Sequence, residues 1–286
     1  MSNYIVCEYT NIRNTIEMLP IMKDRFSEYK CLKSNNKRAI YKAYDKKYNI
    51  LSTVKFIIKH NIDNDQLNIF NFIKNNYHKN ILQIYDIGII GSFYVILSKY
   101  IDGVTLCEFI KNCNDIDNIK YLVKEILNGL NFIHDNNIQH SDIKPSNIIV
   151  TNNNKPVIID FDFSVIIKNE FLIRNIIVGT KPYIPREIIM EKKYFLKSDI
   201  WELGATIVKL LTEKESEGGI KYDNNIYFGD QSNTSSMCFL SYVDIDLSFM
   251  IPKYGNYFCD IIKSMLTVDV NYRPSSGTLV ERLKNN

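Results

Sequence analysis

The chain has 286 residues, 45% of them hydrophobic and 23% charged, which excludes intrinsic disorder and allows about two domains at roughly one per 150 residues. Thirty-five Lys and Arg against 32 Asp and Glu leave a net charge of +3, too small for a field that would by itself recruit nucleic acid or a membrane surface. The six cysteines, Cys7, Cys31, Cys107, Cys113, Cys238 and Cys259, form no CxxC pair, which argues against a zinc site or a disulfide framework and for a reduced, intracellular, cytoplasmic location.

The first 20 residues mix charges and polar groups into every short apolar stretch and lack the apolar segment of a signal peptide, and residues 1–25 read as an N-terminal extension. No run of 18 uncharged apolar residues occurs elsewhere. From about Glu28 to Lys99, runs rich in β-branched and aromatic residues predict strands, at 40–44, 52–58 and 93–97 among others. Gly91-Ser92 between two such runs fits a hairpin turn. One helix, near Asp63 to Lys74, interrupts them. After Thr105 the period lengthens: Ile116, Ile119, Leu122, Val123, Ile126, Leu127, Leu130 and Ile133 mark one face of a long amphipathic helix. Asp199 to Leu211 predicts a second helix, apolar on most sides and so buried. Asn152-Asn153-Asn154, the stretch from Gln231 to Ser236, and Glu213 to Gly219 read as exposed loops. A small, mostly strand half thus precedes a larger, mostly helical half.

The most informative stretch is His140-Ser141-Asp142-Ile143-Lys144-Pro145-Ser146-Asn147, then a short hairpin, then Asp160-Phe161-Asp162. Phosphoryl transfer needs metal ions bridging the phosphates, a base that orients the attacking hydroxyl, and cations over the developing charge. Asp160 and the amide oxygen of Asn147 supply the hard oxygen ligands that Mg²⁺ prefers. Asp142 is then free to accept the hydroxyl proton, with Lys144 beside it to stabilise the transferring group. His60, His78 and His134 have no partner at metal-ligand spacing and read as ordinary loop or helix-end residues.

These motifs resemble the catalytic loop and metal-binding triplet of the eukaryotic-type protein kinase family, serine/threonine branch. The resemblance covers residues 26–286 and implies an α+β, bilobal fold: a small, mostly antiparallel β N-lobe with one helix at about 26–99, and a larger, mostly α-helical C-lobe at about 100–286. It further implies that Lys55 holds the α and β phosphates and that Leu32 to Ile40, with Leu32, Lys33, Asn35 and Ile40 as contacts, covers the nucleotide. Ser98 takes the back of the adenine pocket, and Lys99 to Ile101 the hinge, which reads adenine through backbone groups. Glu187, in Gly179-Thr180-Lys181-Pro182-Tyr183-Ile184-Pro185-Arg186-Glu187, matches the glutamate that pairs a distant arginine, here Arg273. Asp199 matches the aspartate that braces the catalytic loop. The ligands implied are ATP and Mg²⁺, and the partner is a protein with a Ser/Thr acceptor. Nothing points to nucleic acid or a membrane, and a monomer is expected.

The chain departs from the family at four places. The expected glycines of the phosphate-covering loop align with Lys33, Asn35 and Arg38, and glycine there would permit positive φ. The helix position expected to pair Lys55 with a glutamate falls near Asn68 or Ile69, with Asp65 the nearest upstream acid. Asp162 replaces the last glycine of the metal-binding triplet. Ser141 stands where many relatives carry an arginine that receives an activation-loop phosphate. The first two departures leave open an alternative, a pseudokinase acting as a binding or scaffolding module. A small-molecule phosphotransferase is a third reading, against which Gly179-Thr180 and Glu187 weigh because they build a protein-substrate platform.

Overall fold

The computed structural model describes residues 12–217 and 247–284. Those residues divide into two compact units: one runs to Tyr77 and resumes over Leu82–Tyr100, the other takes His78–Ile81 and everything from Ile101. The first is an antiparallel sheet with helices and the second is mainly helical, the α+β class expected.

In the first unit, α1 (Ile12–Glu17) and α2 (Pro20–Asp24) precede β1 (Phe26–Ser34), β2 (Arg38–Asp45), β3 (Ile50–Ile58), α3 (Asn64–Asn75), β4 (Ile84–Ile90) and β5 (Phe93–Lys99). The strands form one sheet in the order β1-β2-β3-β5-β4. Gly91, at φ 55°, opens the tight β4–β5 turn as the dipeptide Gly91-Ser92 suggested. Alternation along β2 buries Ala39, Tyr41, Ala43 and Asp45 and turns Arg38, Ile40, Lys42 and Tyr44 to the other face. The buried face is an aromatic and aliphatic core in which Phe56 meets Tyr41 and Phe93 edge-on at 6.0 and 6.2 Å.

Residues 12–24, read from sequence as part of an extension, form the two short helices that close this core, with Ile12, Ile16 and Met22 buried against the sheet. Arg25 then ties the chain down: its guanidinium donates to the fully buried Asp45 carboxylate at 2.8 Å. α3 is capped by Asp63, whose carboxylate accepts the Gln66 N–H at 2.8 Å.

The four residues His78–Ile81 fall in the span read as N-lobe, yet they belong to the helical unit. Asn80 donates its amide to the Pro156 carbonyl at 2.9 Å and accepts the Ile158 N–H at 2.8 Å. Lys79 meets Glu125 at 2.6 Å, and His78 stacks on Phe132 at 4.8 Å.

The second unit continues through β6 (Gly103–Thr105), α4 (Leu106–Asn112), α5 (Ile116–His134), β7 (Ile138–Gln139), β8 (Ile148–Thr151) and β9 (Pro156–Ile158). Then come β10 (Val165–Ile166), β11 (Leu172–Ile173), α6 (Arg186–Glu191), β12 (Lys193–Tyr194), α7 (Ser198–Glu217), α8 (Ile251–Tyr254), α9 (Asn256–Met265) and α10 (Ser276–Lys284). α4 begins with a reciprocal cap in which Thr105 Oγ1 accepts the Glu108 N–H and Glu108 accepts the Thr105 N–H. The predicted face of α5 is the core face: Ile119, Leu122, Val123, Ile126, Leu127, Leu130 and Ile133 are all buried, while Ile116, at the first turn, is half-buried. Gly103 pairs with Thr151 so closely that a Cβ would lie 2.2 Å from the Val150 carbonyl oxygen.

α7 is longer than the sequence suggests. Residues 213–217, read as the start of a loop, extend it, since no glycine or proline falls between Leu211 and Gly218 and the Lys214 ammonium caps the end of α4 through the Ile110 carbonyl at 2.9 Å. The loop expected at 231–236 lies outside the described residues. Among those described, no helix is long and apolar enough to cross a membrane.

Candidate active site

Asp142 sits in an irregular loop between β7 and β8, and α7 holds that loop by its backbone. Asp199, fully buried at the start of α7, accepts the N–H of His140 at 2.7 Å and of Ser141 at 2.9 Å. One helical turn on, Glu202 accepts the Ile143 N–H at 2.7 Å. His134 bridges Asp199 (2.9 Å) and Ser276 on α10 (3.0 Å), so it braces the loop from behind. Ser141 is left-handed at φ 66°, a strained conformation that these bonds hold in place.

The Asp142 carboxylate is buried, and both its oxygens are engaged. Oδ1 accepts the Thr180 hydroxyl at 2.6 Å, while Oδ2 meets the Lys144 ammonium at 2.7 Å and the Asn147 amide at 3.0 Å. Lys144 also donates to Thr180 Oγ1 at 2.6 Å, closing a triangle of acid, base and hydroxyl. Asn147 gives a further amide bond to the Asp142 carbonyl at 2.9 Å. Its amide nitrogen is therefore committed to Asp142, and its oxygen is the group left for a cation.

Asp160 follows β9 and is itself left-handed, at φ 64° and ψ 70°. The loops are stitched together around it: the Ile159 N–H reaches the Asn147 carbonyl at 2.9 Å, and the His140 ring reaches the Ile159 carbonyl at 3.0 Å. Phe161 is buried against His140, ring centroids 4.8 Å apart. Asp162 lies in the short 3₁₀ turn Phe161–Phe163 at negative φ, so the triplet demands left-handed backbone at its first residue and not at its last. The missing glycine therefore costs no backbone strain.

In the sheet unit, register places Lys33, Ile40 and Lys55 in one cross-strand row, on the face opposite the aromatic core. Leu32 falls in an exposed β1 bulge. The segment expected to be a loop is two strands joined by a tight turn at Asn35, and none of Lys33, Asn35 and Arg38 has positive φ. The lost glycines are again not a backbone requirement here. On α3, Ile69 is buried in the core and Asn68 exposed, so neither takes the role of the expected glutamate. Ser98 is buried on β5 with its hydroxyl 3.4 Å from the Thr53 carbonyl, and the Lys99 N–H is given to the Gln83 carbonyl at 2.9 Å. Ile101 begins the helical unit's share of the chain beyond Tyr100.

The segment from Asp160 to Glu187 is held by packing and hydrogen bonds. β10 pairs with β7 and β11 with β12. The Tyr194 hydroxyl accepts the Val178 N–H at 2.6 Å inside a cluster of Ile167, Val178, Ile184 and Ile188. Gly179, at φ 123°, brings the backbone against Ser141, where a Cβ would lie 3.3 Å from its carbonyl oxygen. Glu187 receives a two-pronged contact from fully buried Arg273, at 2.7 and 3.1 Å, and the Ser198 hydroxyl at 2.9 Å. Sequence reasoning paired Glu187 with Arg273 and assigned Asp199 its brace. It missed Glu202, whose only signal is its place one turn after Asp199, along with Tyr194 and the direct bonds of Thr180.

A sequence model of the family described as protein kinase domain matches residues 36–283. Among curated relatives, the serine/threonine-protein kinase shk1/pak1 of Schizosaccharomyces pombe is 28% identical over 210 residues, covering 73% of this chain and 30% of its own length. Mitogen-activated protein kinase kinase 2 of Arabidopsis thaliana is 35% identical over 133 residues, 46% of this chain and 36% of its own. The serine/threonine-protein kinase Nek6 of Oryza sativa subsp. japonica is 28% identical over 194 residues, 66% and 34% respectively. The chain thus spans about a third of the length of these relatives. With the catalytic loop, its brace and the Glu187–Arg273 pair in place, the chain belongs to the eukaryotic-type protein kinase family, among relatives that are serine/threonine kinases.

Proposed function

We propose that the chain transfers the γ-phosphoryl group of ATP to serine or threonine hydroxyls of a protein substrate. The observation that carries this reading is the Asp142 carboxylate held between Lys144 at 2.7 Å and Thr180 at 2.6 Å, an oriented base with a cation beside it. The acceptor hydroxyl binds an Asp142 oxygen and gives it the proton as its own oxygen attacks the γ-phosphorus in line. The bond from γ-phosphorus to the bridging oxygen breaks, and that electron pair leaves with ADP. Lys144 offsets the charge developing on the transferring group. Lys55 holds the α and β phosphates, with the strands from Leu32 to Ile40 over the nucleotide and Lys99 and Ile101 at its adenine edge.

Asn147 and Asp160 suit Mg²⁺: they supply two hard oxygen donors, about the number this ion takes from protein when phosphate oxygens and water fill its other positions. Held by Asn147 and Asp160, Mg²⁺ would supply positive charge that offsets the charge of the phosphates. The turn that lacks glycine closes without any left-handed residue, which supports an intact nucleotide face over the scaffolding alternative.

The test is incubation of purified protein with γ-labelled ATP, Mg²⁺ and a generic protein substrate, followed by phosphoamino-acid analysis. Label is expected on serine and threonine, and is expected to be lost in Asp142→Ala and Lys55→Ala. Equal label in all three samples rejects the proposal, and labelled small molecules with no labelled protein would move it to another acceptor class.

A further inference from the structure

Three of the backbone donors of the β1–β2 turn, those of Asn35, Lys37 and Arg38, are already in use. Asn35 Oδ1 accepts the N–H groups of Lys37 at 2.9 Å and Arg38 at 3.0 Å, and the Asn35 N–H goes to the Arg38 carbonyl at 2.9 Å. Residues 33–38 all have negative φ, so they do not form the concave array of backbone N–H groups that cradles phosphate elsewhere. What this stretch offers is side-chain charge. Lys33 pairs with Ile40, and Ile40 with Lys55, so the three stand in one row on one face. Arg38, two residues before Ile40, stands on that same face one step nearer the turn. Neighbouring strands lie about 4.8 Å apart, so Lys33 and Lys55 flank Ile40 across roughly 10 Å, a gap their long stems can span.

The next row adds Lys30 directly opposite Lys42, with the Lys42 ammonium 4.2 Å over the Tyr100 ring. Opposed like charges on neighbouring strands are unfavourable, and a bound polyanion would relieve them. On β2 the one acid, Asp45, points to the buried face and is held by Arg25.

We propose that Lys33 and Arg38, alongside Lys55, bind the triphosphate of ATP through their side chains in place of backbone amides, so that the nucleotide is read by its charge. This rests on the kinase reading of Lys55. Affinity for ATP should fall steeply with added salt, as the screening length shrinks from about 30 Å at 0.01 M to about 8 Å at 0.15 M.

The test is calorimetric binding of ATP with Mg²⁺, and separately of adenosine, to the full chain as wild type, Lys33→Ala, Arg38→Gln, Lys33→Arg and Lys47→Ala, with label transfer measured on the same samples. Lys33→Ala and Arg38→Gln are expected to weaken ATP about tenfold each while leaving adenosine unchanged. Lys33→Arg should stay near wild type, and so should Lys47→Ala, whose ammonium lies over the Tyr48 ring. Unchanged ATP affinity in Lys33→Ala and Arg38→Gln, or a parallel loss of adenosine binding, overturns the proposal. Charge-dependent ATP binding without transfer would uphold it and reject kinase activity. Transfer without charge dependence would do the reverse.

Discussion

Thr180 fixes the geometry of Asp142, the proposed base, because one hydroxyl touches both Asp142 and Lys144. Removing it takes a charge-assisted bond of about 1.5–3 kcal/mol from the site. Thr180→Val is therefore expected to lower kcat by about 10–100-fold and Thr180→Ser to retain most of it, measured by steady-state kinetics. Glu202 carries a second residue-scale consequence. Burial, reinforced by the neighbouring Asp199 carboxylate, pushes its carboxyl well above the ordinary value of 4.5. The folded state then holds this proton to a higher pH than the unfolded chain, so the stability it contributes is full below about 4.5 and is lost as pH rises through the raised value. Thermal melts of wild type against Glu202→Gln should show a steeper fall above about pH 5 in the wild type, and parallel curves would contradict this. Asp142, Lys144 and Asn147 were legible in the sequence because they lie within six residues of one another. Thr180 was visible only as a member of a motif, since its contact with Asp142 spans 38 positions.

Two elements behave differently from what spacing alone suggests. The segment between Asp160 and Glu187 is ordered by strand pairing, the Tyr194 hydroxyl and a small apolar cluster. Its only serine and threonine are taken: Ser164 is buried with its hydroxyl on the His140 carbonyl, and Thr180 sits on Asp142. Phosphatase treatment is thus expected to leave the rate unchanged, and a large drop would show that a phosphate orders the segment. At the other end of the chain, Ile16 is fully buried beneath the sheet. Ile16→Ala is expected to cost about 2–5 kcal/mol, read as a lowered denaturation midpoint. The helices α1 and α2 were not legible because six and five residues are too few to display a helical period. α5 was legible for the opposite reason, since its 19 residues repeat the apolar spacing over five turns.

At the scale of the molecule, the order of landmarks along the chain was the readable part, because each is a short local motif. What joins them was less readable. Glu187 and Arg273 are 86 positions apart and meet in a buried pair, with the guanidinium also 5.1 Å over the Trp201 ring. Truncating either partner strands a buried charge, so Arg273→Ala is expected to destabilise the fold by about 3–5 kcal/mol in equilibrium unfolding. The reassignment of His78–Ile81 to the helical unit was hidden for a related reason: it depends on Asn80 bonding Pro156 and Ile158, across more than 70 positions.

The role of Asp142 as the base is the point on which the function turns, and steady-state kinetics of Asp142→Asn tests it most directly. With ATP and protein substrate saturating, kcat is expected to fall by about 10²–10⁴-fold while KM for ATP stays near the wild-type value. An Asp142→Asn protein that phosphorylates its substrate at the wild-type rate would contradict that role.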